Sequence, residues 1–194
     1  MSRVLIRNIG QYVSLTPAEE EMILAAFEPR KLKKKQFLVQ AGEDCRFLNF
    51  VTAGCFRSYY TTPEGSEYIV QFAVEGWWIN DNESFLQGVP ALFDIEALEA
   101  SEVLRISREK LGELYTAVPA LERFFRIIYQ RSFISLQKRV IAGMSQSAEE
   151  RYTNFMDKYP EIASRVPQYH LAAYLGMTPE FLSKIRQQLS AGKS

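Results

Sequence analysis

The sequence predicts an α+β chain with an N-terminal antiparallel β-roll of jelly-roll type, a long central helix and a C-terminal helix-turn-helix. Three observations predict it. Between about Phe27 and Ile106, short alternating runs rich in Phe, Tyr, Val and Thr are punctuated by Gly42, Gly54, Gly65, Gly76 and Gly88, eleven or twelve residues apart. That is the rhythm of an all-β sandwich or barrel. From Pro119 no Gly or Pro interrupts the chain until Gly143, and Leu121, Phe125, Tyr129, Phe133, Leu136, Val140 and Met144 recur every three or four residues, one continuous helical stripe. From Gln168 onward the residue types change where a helix-turn-helix changes shape.

Taken in order, Thr16, Pro17 and Glu19 to Glu21 form a helix entry, with Thr16 as cap, Pro17 in the first position and acids in the first turns. This helix runs to about Phe27. Cys55 to Tyr60 and Tyr68 to Phe72 are expected to pair across Pro63 and Gly65, residues suited to a tight hairpin loop. Strands continue to about Ile106, and Ser107 caps a helix to Tyr115. The long helix follows. It has further apolar residues at Phe124, Ile127, Ile128, Ile134 and Ile141, so it is expected to be covered both by its own β-domain and by a partner helix, although a stripe alone does not separate the two kinds of burial.

In the last segment a first helix buries Leu171, Ala172 and Leu175. Ala172 is small enough for a close crossing, Gly176 supplies the turn, and Met177 plugs beneath it. Thr178 caps the next helix, with Pro179 in first position and Glu180 near its positive end. Leu182, Ile185 and Leu189 face inward. Thr178, Glu180, Phe181, Ser183, Lys184, Arg186 and Gln187 then form or flank a polar outer face suited to a major groove. Any two-helix hairpin shows some of this spacing; the coincidence of small residue, glycine, plug, cap and polar face is what favours a DNA reader.

The 194 residues carry 23 basic and 23 acidic side chains, a neutral balance unlike that of a general nucleic-acid coat. The basic residues are nevertheless placed unevenly. Arg126, Arg131, Lys138 and Arg139 lie in a stretch without carboxylates, and Lys184, Arg186 and Lys193 outnumber Glu180 at the tail. Arg30 to Lys35 reads as a solvated basic turn. Two cysteines, Cys45 and Cys55, are too few for a disulfide scaffold and are expected to be buried. No apolar run suits a membrane span, and the first residues lack the pattern of a signal peptide, so a cytoplasmic location is expected. A cupin-type metal enzyme would need several histidines, whereas His170 stands alone, and an oxygen-sensing iron–sulfur centre would need four cysteines. No enzyme activity, metal or cofactor is expected.

The combination of Leu32 to Gln36 with Gly42 and Glu43, Phe50 and Val51 with Gly54 to Arg57, Ile95 to Glu99, Leu104 to Ser107, Ser147 to Tyr152 and Tyr174 to Glu180 resembles the Crp/Fnr family of bacterial regulators, in particular its short Bacteroidetes-type members. The likeness covers nearly the whole chain. It implies a cyclic-nucleotide-binding-type roll over residues 1–118, a dimerisation helix over 119–144 and a DNA-binding unit over 145–194. The expected function is that of a homodimeric, sequence-specific DNA-binding regulator, with Phe125, Tyr129, Phe133, Leu136 and Val140 in the seam. The alternative is a β-roll sensor or protein-interaction module without DNA binding. Expected partners are double-stranded DNA and a second copy, with RNA polymerase a further candidate and no membrane.

Two departures stand out. Family members that bind a cyclic phosphate hold it with an arginine followed by Ser or Thr, aided by an upstream Gly-Glu pair. Here the arginine position falls at Ala91, and residues 79–84 read Ile, Asn, Asp, Asn, Glu, Ser. Cyclic AMP is therefore not expected as effector, Arg57 and Arg105 being the nearest substitute arginines. Few residues follow the second helix, so the family's β-wing is expected to be short or missing. Glu83 and Ser84 near Trp77 and Trp78, together with Arg57, are candidates to line an effector pocket. In the competing reading, the tryptophans are core and the polar residues surface.

Overall fold

The computed structural model describes residues 2–191. Lys193 and the question of a wing after the last helix lie outside them. Two helices come first, α1 (Ser2–Gly10) and α2 (Pro17–Ala26). The expected Thr16 cap is present as a full capping box, Thr16 Oγ1 accepting from the Glu19 N–H while the Glu19 carboxylate accepts from the Thr16 N–H at 2.7 Å. α1 has no counterpart in the sequence reading. Leu5 and Ile9, one helical turn apart, are its buried residues.

Eight strands then build two four-stranded antiparallel sheets: β1 (Glu28–Leu32), β2 (Phe37–Val39), β3 (Phe47–Ala53), β4 (Phe56–Thr61), β5 (Glu67–Ala73), β6 (Trp78–Ile79), β7 (Asp94–Ala97) and β8 (Ser101–Ser107). One sheet has the order β1-β8-β3-β6 and the other β2-β7-β4-β5. The expected hairpin is β4 with β5, from Phe56 opposite Ala73 to Thr61 opposite Glu67. Between β3 and β4 the chain turns at Gly54, whose φ is +97° and whose missing Cβ would fall 2.0 Å from the Ser101 hydroxyl. Only glycine fits there.

The short helix α3 (Asn82–Gln87) interrupts the roll, and α4 (Arg108–Ala117) closes it, capped by Ser107 as expected. The basic run from Arg30 divides. Lys33 to Lys35 form an exposed turn, while Lys31 reaches Glu102 at 3.1 Å and Arg30 donates to the Phe37 carbonyl.

The long helix α5 (Ala120–Ser145) crosses from one environment into another. Leu121, Phe124 and Phe125 are buried in the roll's core, where the Trp78 ring meets Phe50 and Phe125 at 5.0 Å. From Phe133 onward the apolar residues are uncovered. Four helices finish the described chain: α6 (Ala148–Lys158), α7 (Pro160–Arg165), α8 (Gln168–Leu175) and α9 (Pro179–Ala191). They do not enclose a core alone. Tyr152, Phe155, Ile162, Leu171, Leu182 and Ile185 join Cys55, Tyr59, Ile69 and Phe72 of the roll in one apolar cluster.

Candidate DNA-reading face and effector cleft

The turn between α8 and α9 has the geometry its residues imply. Gly176 is left-handed at φ +69°, the Met177 N–H donates to the Ala172 carbonyl at 3.0 Å, and Ala172 is fully buried at the crossing. The Thr178 hydroxyl accepts from the Phe181 N–H at 3.2 Å, the N-cap expected. Leu182 and Ile185 anchor α9, with Leu189 half-buried behind them, while Thr178, Glu180, Phe181, Ser183, Lys184, Arg186 and Gln187 are all exposed. Hydrogen bonds from its own backbone N–H and from Thr178 hold the Glu180 carboxyl below the usual carboxylate value. It is an acceptor at neutral pH.

A partly buried ionic network links β4 to α8. Arg57 Nε donates to Glu96 at 2.7 Å, its other nitrogens reach Glu67, and Nη1 lies 3.1 Å from His170 Nδ1. Its guanidinium covers the Tyr59 ring at 3.9 Å. Because arginine only donates, Nδ1 of His170 must accept, which fixes a neutral ring with its proton on Nε2. A second clamp holds Arg165 against Glu75 at 2.7 Å and against Glu99. Arg57 was expected near an effector; it is instead committed to these partners.

Burial, and then the charge of Arg57, push the His170 pKa down from 6.5 to about 4. The unfolded chain therefore takes up this proton first, so stability falls as pH drops from about 6.5 to about 4. Melting temperatures across that window are expected to fall more steeply for the wild type than for His170→Gln. Parallel curves would show that His170 does not couple to folding.

Along α5 the seam expected from the stripe splits. Phe125 is only 4% exposed, and Tyr129 packs half-buried against the same core. Both are held by their own chain, a correction to the expected five-residue seam, because helical periodicity repeats regardless of what covers it. Phe133 (60% exposed), Leu136 and Val140 do stand open, joined by Ile134, Ile141 and Met144.

The segment aligned with the family's phosphate cradle is already filled. Asp81, 1% exposed, caps α3 by accepting the Ser84 N–H at 3.0 Å, and its second oxygen accepts from Leu92 and Phe93 N–H at 2.8 and 3.2 Å. Ala91 is buried and tied by backbone hydrogen bonds to Gly42 and Glu43. The chain's own carboxylate thus takes the amide groups an entering anion would need. Ser84 is fully buried and accepts from the Cys45 N–H, whereas Glu83 is exposed. Neither lines the main cleft. That cleft, of about 500 Å³, lies between α1, β5, β6, α5 and the C-terminal helices, and Trp78 lines it. Sequence reasoning missed this site because its walls come from distant segments.

Residues 29–117 match the cyclic nucleotide-binding domain. The chain is 24% identical over 184 residues to the fumarate and nitrate reduction regulatory protein of Vibrio cholerae, covering 89% of this chain and 73% of that protein. It is 25% identical to the transcriptional activator protein Anr of Pseudomonas aeruginosa over 80% and 68% of the two chains. Among solved structures, it is similar to the c-di-GMP-responsive regulator CLP of Xanthomonas campestris, with TM-score 0.76 and 14% identity over 92% and 93% of the two chains. FixK2 of Bradyrhizobium japonicum gives 0.75 and 18% over 86% of each. With a cyclic nucleotide-binding domain of this topology, a long following helix and relatives that are transcription regulators rather than enzymes, the chain is similar to regulators of the Crp/Fnr type.

Proposed function

We propose that this transcription regulator acts as a homodimer that binds DNA in a sequence-specific way through α9, and that cyclic AMP is not its effector. The carrying observation is the division of α9: Leu182 and Ile185 are buried, while Glu180, Lys184 and Gln187 are exposed beside a capped, glycine-turned helix start. On the groove side, Glu180 suits a cytosine amino group, Lys184 a guanine or a phosphate, and Gln187 an adenine. Two such helices related by a dimer axis call for a palindromic site with half-sites roughly 34 Å apart. The filled cradle at Asp81 supports the reading on cyclic AMP. No described helix is long and apolar enough to cross a membrane.

Selection from random DNA followed by affinity measurement tests the proposal. Wild-type binding is expected to weaken steeply with salt and to be indifferent to cyclic AMP. Glu180→Ala and Lys184→Ala are expected to change which sequences are selected, with about 1–3 kcal/mol lost per base contact. Arg186→Ala is expected to weaken all sequences evenly through a lost backbone contact. No DNA affinity even at low salt would leave the chain a sensor or protein-binding module instead.

A further inference from the structure

We propose that the cleft between the roll, α5 and the C-terminal helices binds a small aromatic monocarboxylate, its carboxylate paired with Arg139. That this alters DNA affinity rests on the reading of the protein as a DNA-binding regulator; the binding itself does not. At about 500 Å³ the cleft lies in the size range of small-molecule sites.

Its charge is unusually simple. Of the described residues lining the cleft, Arg139 alone is charged, and no carboxylate is among them. The other buried or half-buried arginines of the network and clamp, Arg57 and Arg165, are each paired with two acids. Arg139 differs. One nitrogen donates to the Val70 carbonyl and the guanidinium lies 5.0 Å from the Tyr174 ring centre, yet among the described residues no carboxylate lies within ion-pair distance of it. Its remaining donors form a planar fork that matches a carboxylate. A dianion would leave one charge uncompensated in a partly dry site, and a cation would be repelled.

The walls specify the rest of the ligand. Phe72 and Trp77 come from the roll; Phe155, Tyr159 and Tyr174 come from the C-terminal helices. These rings are mutually adjacent, Phe72 to Tyr174 and Phe155 to Tyr174 at 5.3 Å, and Trp77 to Tyr159 at 5.8 Å. Such faces favour a flat aromatic body. A ligand held there touches sensor strand, central helix and reader unit together, so its binding free energy depends on how they are docked, which is the requirement for coupling.

Calorimetric titration of the full chain with phenylacetate, cinnamate and 2-naphthoate, each beside its neutral amide, tests the site. At least one acid is expected to bind saturably below about 1 mM, with its amide at least about tenfold weaker. Arg139→Gln should erase that preference. Ser135→Phe, at an exposed position on the rim one helical turn from Arg139, should block acid and amide alike with melting unchanged. No saturable heat from any of the acids, equal binding of acid and amide, or an unaltered preference in Arg139→Gln would each overturn the site. In parallel, the binding acid should shift affinity for a selected DNA fragment by at least about threefold. An unchanged DNA affinity overturns the coupling while the site stands. A protein that binds the acid but no DNA overturns the regulator reading instead.

Discussion

Replacing Arg57 with methionine is expected to destabilise the protein by about 3–5 kcal/mol, as breaking one half of a buried ion pair does. The change strips Glu96, whose side chain is 11% exposed, of its cation, while Glu67 at 39% exposure can still turn toward water. His170 loses its donor as well. The carboxylate of Glu96 would then protonate or admit water, and both responses loosen the contact of β4 with α8. Against a total stability of roughly 5–15 kcal/mol this is a large fraction. Removing both charges, in Arg57→Met with Glu96→Leu, is expected to restore most of the loss, because the penalty lies in the stranded charge rather than in the missing attraction. Urea denaturation of the wild type, the single variant and the double variant decides it. A loss under about 1 kcal/mol in Arg57→Met would mean that the network contributes little.

Phe133→Glu or Val140→Glu is expected to weaken self-association at least about 100-fold, since each places a charge in an apolar seam at a cost of several kcal/mol. Both residues are at least half exposed in the single chain, so the roll should stay folded, with an unchanged melting profile at low concentration. DNA affinity should fall in step, because a lone reader loses the second half-site. Light scattering at micromolar concentration is the measurement. A monomeric wild type would end the idea that α5 is the seam.

The features legible in the sequence were those set by near neighbours. Thr16, Ser107 and Thr178 act within three residues of themselves, Gly176 within its own turn, and the β4–β5 hairpin across one short loop. Another local signal stood unread: Ser147 and Glu150 form a capping box at the start of α6. The stripe on α5 misled at Phe125 because periodicity shows that a face is apolar without showing whose side chains cover it. The Arg57 to His170 contact joins residues 113 positions apart, and Arg139 meets Val70 across 69. Nothing in local patterning links such pairs. Asp81 was one acid among several in a polar loop, and its three amide partners became visible only once α3 and the segment before β7 were folded against each other.

The apolar cluster shared by roll and reader also limits how a signal can travel. Tyr59, Ile69 and Phe72 serve the C-terminal helices as part of their own interior. Sliding the reader by a fraction of a side chain would open voids on one flank and collisions on the other, whereas lifting it clear would wet every one of these surfaces. Half-measures are therefore the least favourable positions. If the C-terminal helices read DNA as proposed, they are expected to move between discrete docked positions rather than to slide, and an effector would act by choosing between those positions.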